Sequence, residues 1–181
     1  MLKVFAMEAA GADRHEVGRM LLRWKYEEIW QRSMPEIFLR EDGKPDFDDE
    51  RSFFSLSYSG GWAFCALSDS EVGLDVEKIR SVSPNAIGGV LSREEWMQYS
   101  VSPNPMERFM QFWTLKEAYC KFTGLGIAKT KLNETVFDLS GEQPKLKGRG
   151  DLFFWSRCVD GFAIALCSDF WHRPEFYKIE L

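Results

Sequence analysis

Apolar positions along this chain keep two different rhythms, and each change of rhythm falls at a turn-forming residue. Leu2 to Met7 is a short apolar run that predicts a strand. Asp13 then offers an N-cap with Glu16 at the capping-box position, and Val17, Met20, Leu21, Trp24 and Ile29 mark a helical face running to about Trp30. Glu36 to Arg51 is polar, contains Gly43 and Pro45, and reads as loop. Phe53 to Ser59 and Trp62 to Leu67 form two strands around Gly60-Gly61, with a further strand over Val72 to Val76. Ser92, with Glu95 three residues on, predicts a helix over Arg93 to Tyr99. Asn104-Pro105-Met106-Glu107 starts a longer helix, which runs to Thr123 and stops at Gly124. Leu152 to Val159 and Phe162 to Ser168 make a late hairpin, and Phe176 to Leu181 adds a strand. Helices and hairpins without strict alternation predict an α+β fold with antiparallel sheet. A strand–helix–hairpin group is followed by a strand–helices–hairpin group, which suggests two pseudo-symmetric lobes, although no internal sequence repeat is visible.

Composition narrows the function. The chain has 181 residues, with a hydrophobic fraction of 45% and an aromatic fraction of 15%, which excludes disorder over most of its length. A net charge of −5 argues against a general nucleic-acid binder but leaves room for a local basic pocket. No apolar run is long enough to span a bilayer, and Met1 to Ala10 lacks a secretory segment, so a cytoplasmic, membrane-free protein is expected. The four cysteines lack CxxC spacing. A turn at Asp160-Gly161 sets Cys158 opposite Ala163 and Cys167 opposite Phe154, so free thiols are expected.

Three stretches carry candidate chemistry. In Gly73-Leu74-Asp75-Val76-Glu77 the period of two puts Asp75 and Glu77 on one face, while Leu74 and Val76 turn to the core. Two such acids suit a hard divalent cation such as magnesium, and equally a solvated strand end. In Trp113-Thr114-Leu115-Lys116-Glu117-Ala118-Tyr119-Cys120-Lys121, Glu117 and Lys121 lie four apart at the edge of an apolar arc. They could line a cleft or form an exposed ion pair. Lys116 falls inside the arc and needs a partner. Gly43-Lys44-Pro45 precedes Phe54-Ser55-Leu56-Ser57-Tyr58-Ser59, whose hydroxyls could bind phosphate or close local hydrogen bonds.

GKP with FSLSYS, then GLDVE, then WTLKEAYCK leading into GLG, taken in that order, resemble the 4′-phosphopantetheinyl transferases, and the surfactin-synthetase-activating type in particular. Residues 43–126 carry nearly all of the resemblance. It implies two similar α+β lobes with coenzyme A between them. An N-terminal lobe would cover residues 1–71, and a C-terminal lobe over 72–181 would carry the magnesium site and the catalytic helix. It further implies magnesium on Asp75, Glu77 and Glu117, with Glu117 also the base and Lys121 a catalytic cation on the coenzyme A phosphates. Lys44, Ser57, Tyr58, Asp75 and Lys121 are the implied coenzyme A contacts. The expected partner is an apo acyl or peptidyl carrier protein, met by a monomer. Ile87, Val90, Leu91 and Met97, with Lys129 and Lys131, are candidates for that surface. The family usually has histidine where this chain has Tyr58, which removes a cation; Arg14, Arg19 or Arg23 could replace it. The competing readings are a non-catalytic coenzyme A or carrier-binding protein on the same fold and a magnesium-dependent phosphohydrolase.

Overall fold

The computed structural model describes residues 1–180, so the Leu181 end of the last predicted strand lies outside the described residues. In chain order, β1 (Leu2–Glu8) leads into α1 (Arg14–Trp30), then the small hairpin β2 (Ile37–Leu39) and β3 (Pro45–Phe47), then β4 (Phe53–Ser59) and β5 (Trp62–Ser68). β6 (Val72–Lys78) is followed by α2 (Pro84–Val90), α3 (Arg93–Ser100) and α4 (Pro105–Thr123). After a 3-10 turn at Ile127–Lys129 come β7 (Phe137–Asp138), β8 (Lys145–Leu146), β9 (Phe153–Val159), β10 (Phe162–Ser168) and β11 (Glu175–Ile179).

Two main sheets form, ordered β11-β1-β5-β4 and β6-β10-β9, beside the two-stranded pairs β2-β3 and β7-β8. Alternation in the strands divides the core into three layers. Leu2, Val4, Phe64 and Ala66 of the first sheet meet Leu74, Val76, Ile164 and Leu166 of the second, face to face. The outer face of the first sheet, through Phe5, Met7, Cys65 and Leu67, packs on Leu21, Leu22 and Tyr26 of α1. The outer face of the second, through Phe154, Ala163 and Ala165, packs on Phe109, Phe112 and Leu115 of α4. The molecule is therefore helix, sheet, sheet, helix, an α+β fold.

The same strand–helix–hairpin unit occurs twice: β1, α1, β4 and β5 match β6, α4, β9 and β10 in sheet order. A faint sequence repeat accompanies it. Phe53-Phe54, Gly61, Ala63 and Ser68-Asp69 recur as Phe153-Phe154, Gly161, Ala163 and Ser168-Asp169. Identical residues this sparse are visible only once the strands are aligned. β11 breaks the repetition by returning from the end of the chain to pair in parallel with β1.

Some local expectations change. Residues 36–51 are not all loop, because Ile37–Leu39 pairs with Pro45–Phe47. On α1 the buried residues are Val17, Gly18, Leu21, Leu22, Lys25 and Tyr26, whereas Met20 and Trp24 are exposed. Asp13 caps the helix, accepting from the backbone N–H of His15 and Glu16. Asn104 makes no side-chain cap; Pro105 opens α4, and Gly124, at φ 73°, ends it in the left-handed region that glycine enters freely. The late hairpin has the expected register, Cys158 opposite Ala163 and Cys167 opposite Phe154, and all four cysteines are free. Among the described residues no helix is long and apolar enough to cross a membrane.

Candidate functional site

Between the two repeated units lies a cleft of about 520 Å³. Arg19 of α1, Lys44 and Tyr58 line it from one side, and Glu117, Cys120 and Lys121 of α4 from the other. The position of α4 follows from Gly73. A Cβ there would run into the carbonyl oxygen of Ala118 and lie 2.6 Å from the Phe122 nitrogen, so only glycine lets the helix backbone rest on β6. One turn of α4 then lies directly over Asp75.

Asp75 is 4% exposed, which removes the solvated-strand-end alternative. Its Oδ1 accepts from the Ser57 hydroxyl at 3.0 Å and from Lys121 Nζ at 2.8 Å. Its Oδ2 is buried without a hydrogen-bond partner. Glu77 is less buried, and its Oε2 accepts from the Ser59 hydroxyl at 2.8 Å. Glu117 reaches the same neighbourhood from α4. Burial, then the Asp75 carboxylate, push its carboxyl up to about 7; Lys121 opposes the rise and Glu77 adds to it. The three acids thus share one electrostatic environment. Among the described residues they do not close into a cluster of three ready-made cation ligands. The donor set nevertheless fits a hard divalent ion, because it offers an unpartnered buried oxygen and mutual repulsion that such an ion would relieve.

The exposed Glu117–Lys121 ion pair kept as an alternative does not form. Lys121 instead donates to Leu56 O at 3.2 Å, Leu74 O at 3.0 Å and Asp75, so its ammonium bridges β4, β6 and α4. Lys44 is 8% exposed and equally engaged, with Glu71, with Val72 O at 3.2 Å and with Phe122 O at 3.2 Å near the end of α4. Ser57 and Ser59 each also accept a backbone N–H of β6. Tyr58 leans on α1. Its ring centroid lies 4.4 Å from that of His15, the two planes tilted by 54°, and its hydroxyl would lie 2.6 Å from any Cβ on Gly18. Burial and its neighbours keep the phenol above its ordinary value, so it carries no charge near neutral pH. Of the three arginines considered as replacements, Arg19 lines the cleft.

Lys116 has the partner its position demanded. It is fully buried and bonds Glu95 at 2.6 Å, Val90 O at 2.8 Å and Leu132 O at 2.6 Å. Glu95 in turn accepts from the N–H of Ser92 and of Phe137. In the sequence Glu95 reads only as a capping residue; its burial depends on a partner distant in the chain. Ile87, Val90 and Leu91, considered as surface residues, are core, while Met97, Lys129 and Lys131 are exposed.

Comparison with known proteins identifies the family. The model of the "4'-phosphopantetheinyl transferase superfamily" matches residues 71–167, which hold β6, α4 and β10. The 4'-phosphopantetheinyl transferase psf-1 of Bacillus pumilus is 32% identical over 122 residues, covering 65% of this chain and 52% of that protein. The 4'-phosphopantetheinyl transferase gsp of Aneurinibacillus migulanus is 26% identical over 172 residues, covering 88% of this chain and 70% of that protein. The 4'-phosphopantetheinyl transferase Sfp of Bacillus subtilis is 27% identical over 122 residues, covering 65% and 54%. The chain spans about half the length of two of these relatives. A crystal structure of Thermotoga maritima holo-[acyl-carrier-protein] synthase overlaps 54% of this chain and 61% of its own, with a TM-score of 0.47 and 25% identity. With more than half its length under the family model, and the acid-bearing strand and helix inside that match, this chain belongs to the 4′-phosphopantetheinyl transferase superfamily, in its surfactin-synthetase-activating type.

Proposed function

We propose that this protein moves the 4′-phosphopantetheine arm of coenzyme A onto a serine of an acyl or peptidyl carrier protein and releases 3′,5′-ADP. The observation that carries the reading is Asp75 Oδ2, a buried carboxylate oxygen without a partner, next to Glu117 at the wall of a cleft. Coenzyme A would lie in the cleft between Arg19, Lys44, Tyr58 and Lys121. The reaction joins the serine oxygen to the β-phosphorus and breaks the bond to the nucleotide oxygen, so negative charge spreads over the phosphate oxygens and the leaving group. Asp75, Glu77 and Glu117 are the residues that would hold magnesium. When bound, it would supply charge stabilisation to the pyrophosphate. Glu117 would also take the serine proton, directly or through a water. Lys121 would exchange one of its carbonyl acceptors for a phosphate oxygen. We further assign a cytoplasmic monomer whose N- and C-terminal lobes divide near Glu71.

The test is direct. Incubation with coenzyme A, magnesium and an apo carrier should make the carrier heavier by one phosphopantetheine, and Glu117→Gln should lower that rate at least about 100-fold. Failure to label any of several acyl and peptidyl carriers would sink the proposal. The uncharged Tyr58 and the paired ammonium groups of Lys44 and Lys121 favour one second reading, a non-catalytic coenzyme A or carrier-binding protein. Tight ligand binding without carrier labelling, unchanged in Glu117→Gln, would select it.

A further inference from the structure

β4 and β6 lie side by side but belong to different sheets, so no backbone ladder joins them. Serine side chains take its place. Ser55, Ser57 and Ser59 sit at alternate positions of β4, and their hydroxyls accept the N–H of Leu74 at 2.9 Å, Val76 at 3.0 Å and Lys78 at 2.9 Å. Each hydroxyl then has one proton to give. Ser57 gives it to Asp75 at 3.0 Å, with Val76 O a longer alternative at 3.4 Å, and Ser59 gives it to Glu77 at 2.8 Å. At the corresponding place beside Ser55 the chain has Gly73, which has no side chain to receive one.

The ladder therefore does two separable things. All three rungs satisfy backbone N–H groups at the lobe junction. Only the second and third also fix one oxygen of an acid, and on Asp75 the other oxygen stays free. We infer that Ser57 and Ser59 are positioning residues, whose hydroxyls hold the Asp75 and Glu77 carboxylates in the orientation that receives a divalent cation. This rests on the proposed role of those acids. The chemistry is that of outer-shell hydrogen bonds at metal sites, which fix a ligand's orientation without touching the ion. It also gives Ser57 a use other than direct contact with coenzyme A.

Ser55 supplies the control, because its loss removes the same kind of backbone acceptor and no carboxylate bond. Manganese(II) is the probe, titrated into the full chain and followed by the electron paramagnetic resonance of the free ion. Coenzyme A affinity without metal and urea unfolding are measured on the same proteins. Ser57→Ala and Ser59→Ala should weaken manganese binding about tenfold, and Ser59→Thr should recover most of that loss. Ser55→Ala should lower the unfolding midpoint comparably but leave manganese affinity unchanged, and Ser59→Ala should leave metal-free coenzyme A affinity unchanged. If Ser57→Ala does not fold, Ser59→Ala decides. Equal manganese affinities in Ser55→Ala and Ser59→Ala would overturn the inference. Lost coenzyme A affinity with intact manganese binding in Ser57→Ala would overturn it for that residue. Absence of manganese binding by the parent would overturn both this inference and the cation site beneath it, whereas a normal parent with an unaffected Ser59→Ala removes only the positioning role.

Discussion

At Glu117 burial and the Asp75 carboxylate raise the carboxyl from 4.5 to about 7, against the pull of Lys121. An acid raised on folding binds more protons in the native state than in the unfolded one between those two values. Without magnesium, stability should therefore be greatest below about pH 4.5 as far as this group is concerned, and fall as pH rises through 7. Allowing for the side chain's partial exposure, the loss is about 1–2 kcal/mol. Urea unfolding of the metal-free parent and of Glu117→Gln at pH 5 and pH 8 checks this; the variant should gain on the parent only at the higher pH. An equal gap at both would show that the carboxyl titrates normally. The pairing of Asp75 with Glu77 was legible because a strand period of two is a local rule. That Asp75 would be buried, with one oxygen bound and one free, was not, because Ser57 and Lys121 reach it from residues far away in sequence.

Elements sit where a few contacts force them. Gly73 sets the approach of α4, and Gly73→Ala should cost about 1–3 kcal/mol through overpacking. It should also part Lys121 from Asp75 and so slow transfer, whereas near-parent melting and turnover would show that α4 adjusts freely. Behind α4, the buried Lys116–Glu95 pair ties α3 and the 132–137 segment to the helix. Lys116→Met strands Glu95 without a charge partner and should destabilise by about 3–5 kcal/mol, while the double change with Glu95→Gln should recover part of it. A double-mutant cycle on unfolding midpoints measures the difference. Both α3 and α4 were readable from their start signals. α2 was not, although Ser83 caps it and Pro84 opens it, because Gly88-Gly89 dilute its helical character. The β2–β3 hairpin was masked by exposed Ile37, Phe38 and Leu39 set among polar residues.

The whole molecule is one unit used twice, with a final strand that crosses back. Because β11 pairs with β1, a fragment ending at residue 71 lacks an edge of its sheet. Such a fragment should stay largely unfolded alone and gain amide protection only when residues 72–181 are added. Independent protection of β1 in the isolated piece would contradict this. The two-lobed α+β plan was legible from the order of elements. The duplication behind it was too faint to see, and the parallel return of β11 follows no local signal.

The loop bearing Lys44 is fastened by two arms that meet at Glu71, just ahead of β6. One is the buried Lys44 ammonium and the other the partly exposed Arg40 guanidinium, at 2.9 Å. Dissolved ions screen charges that face water and hardly reach those that do not. Raising the ionic strength should therefore loosen only the outer arm. The rim of the cleft would gain some play in concentrated salt, while its root on the last turn of the helix stays anchored.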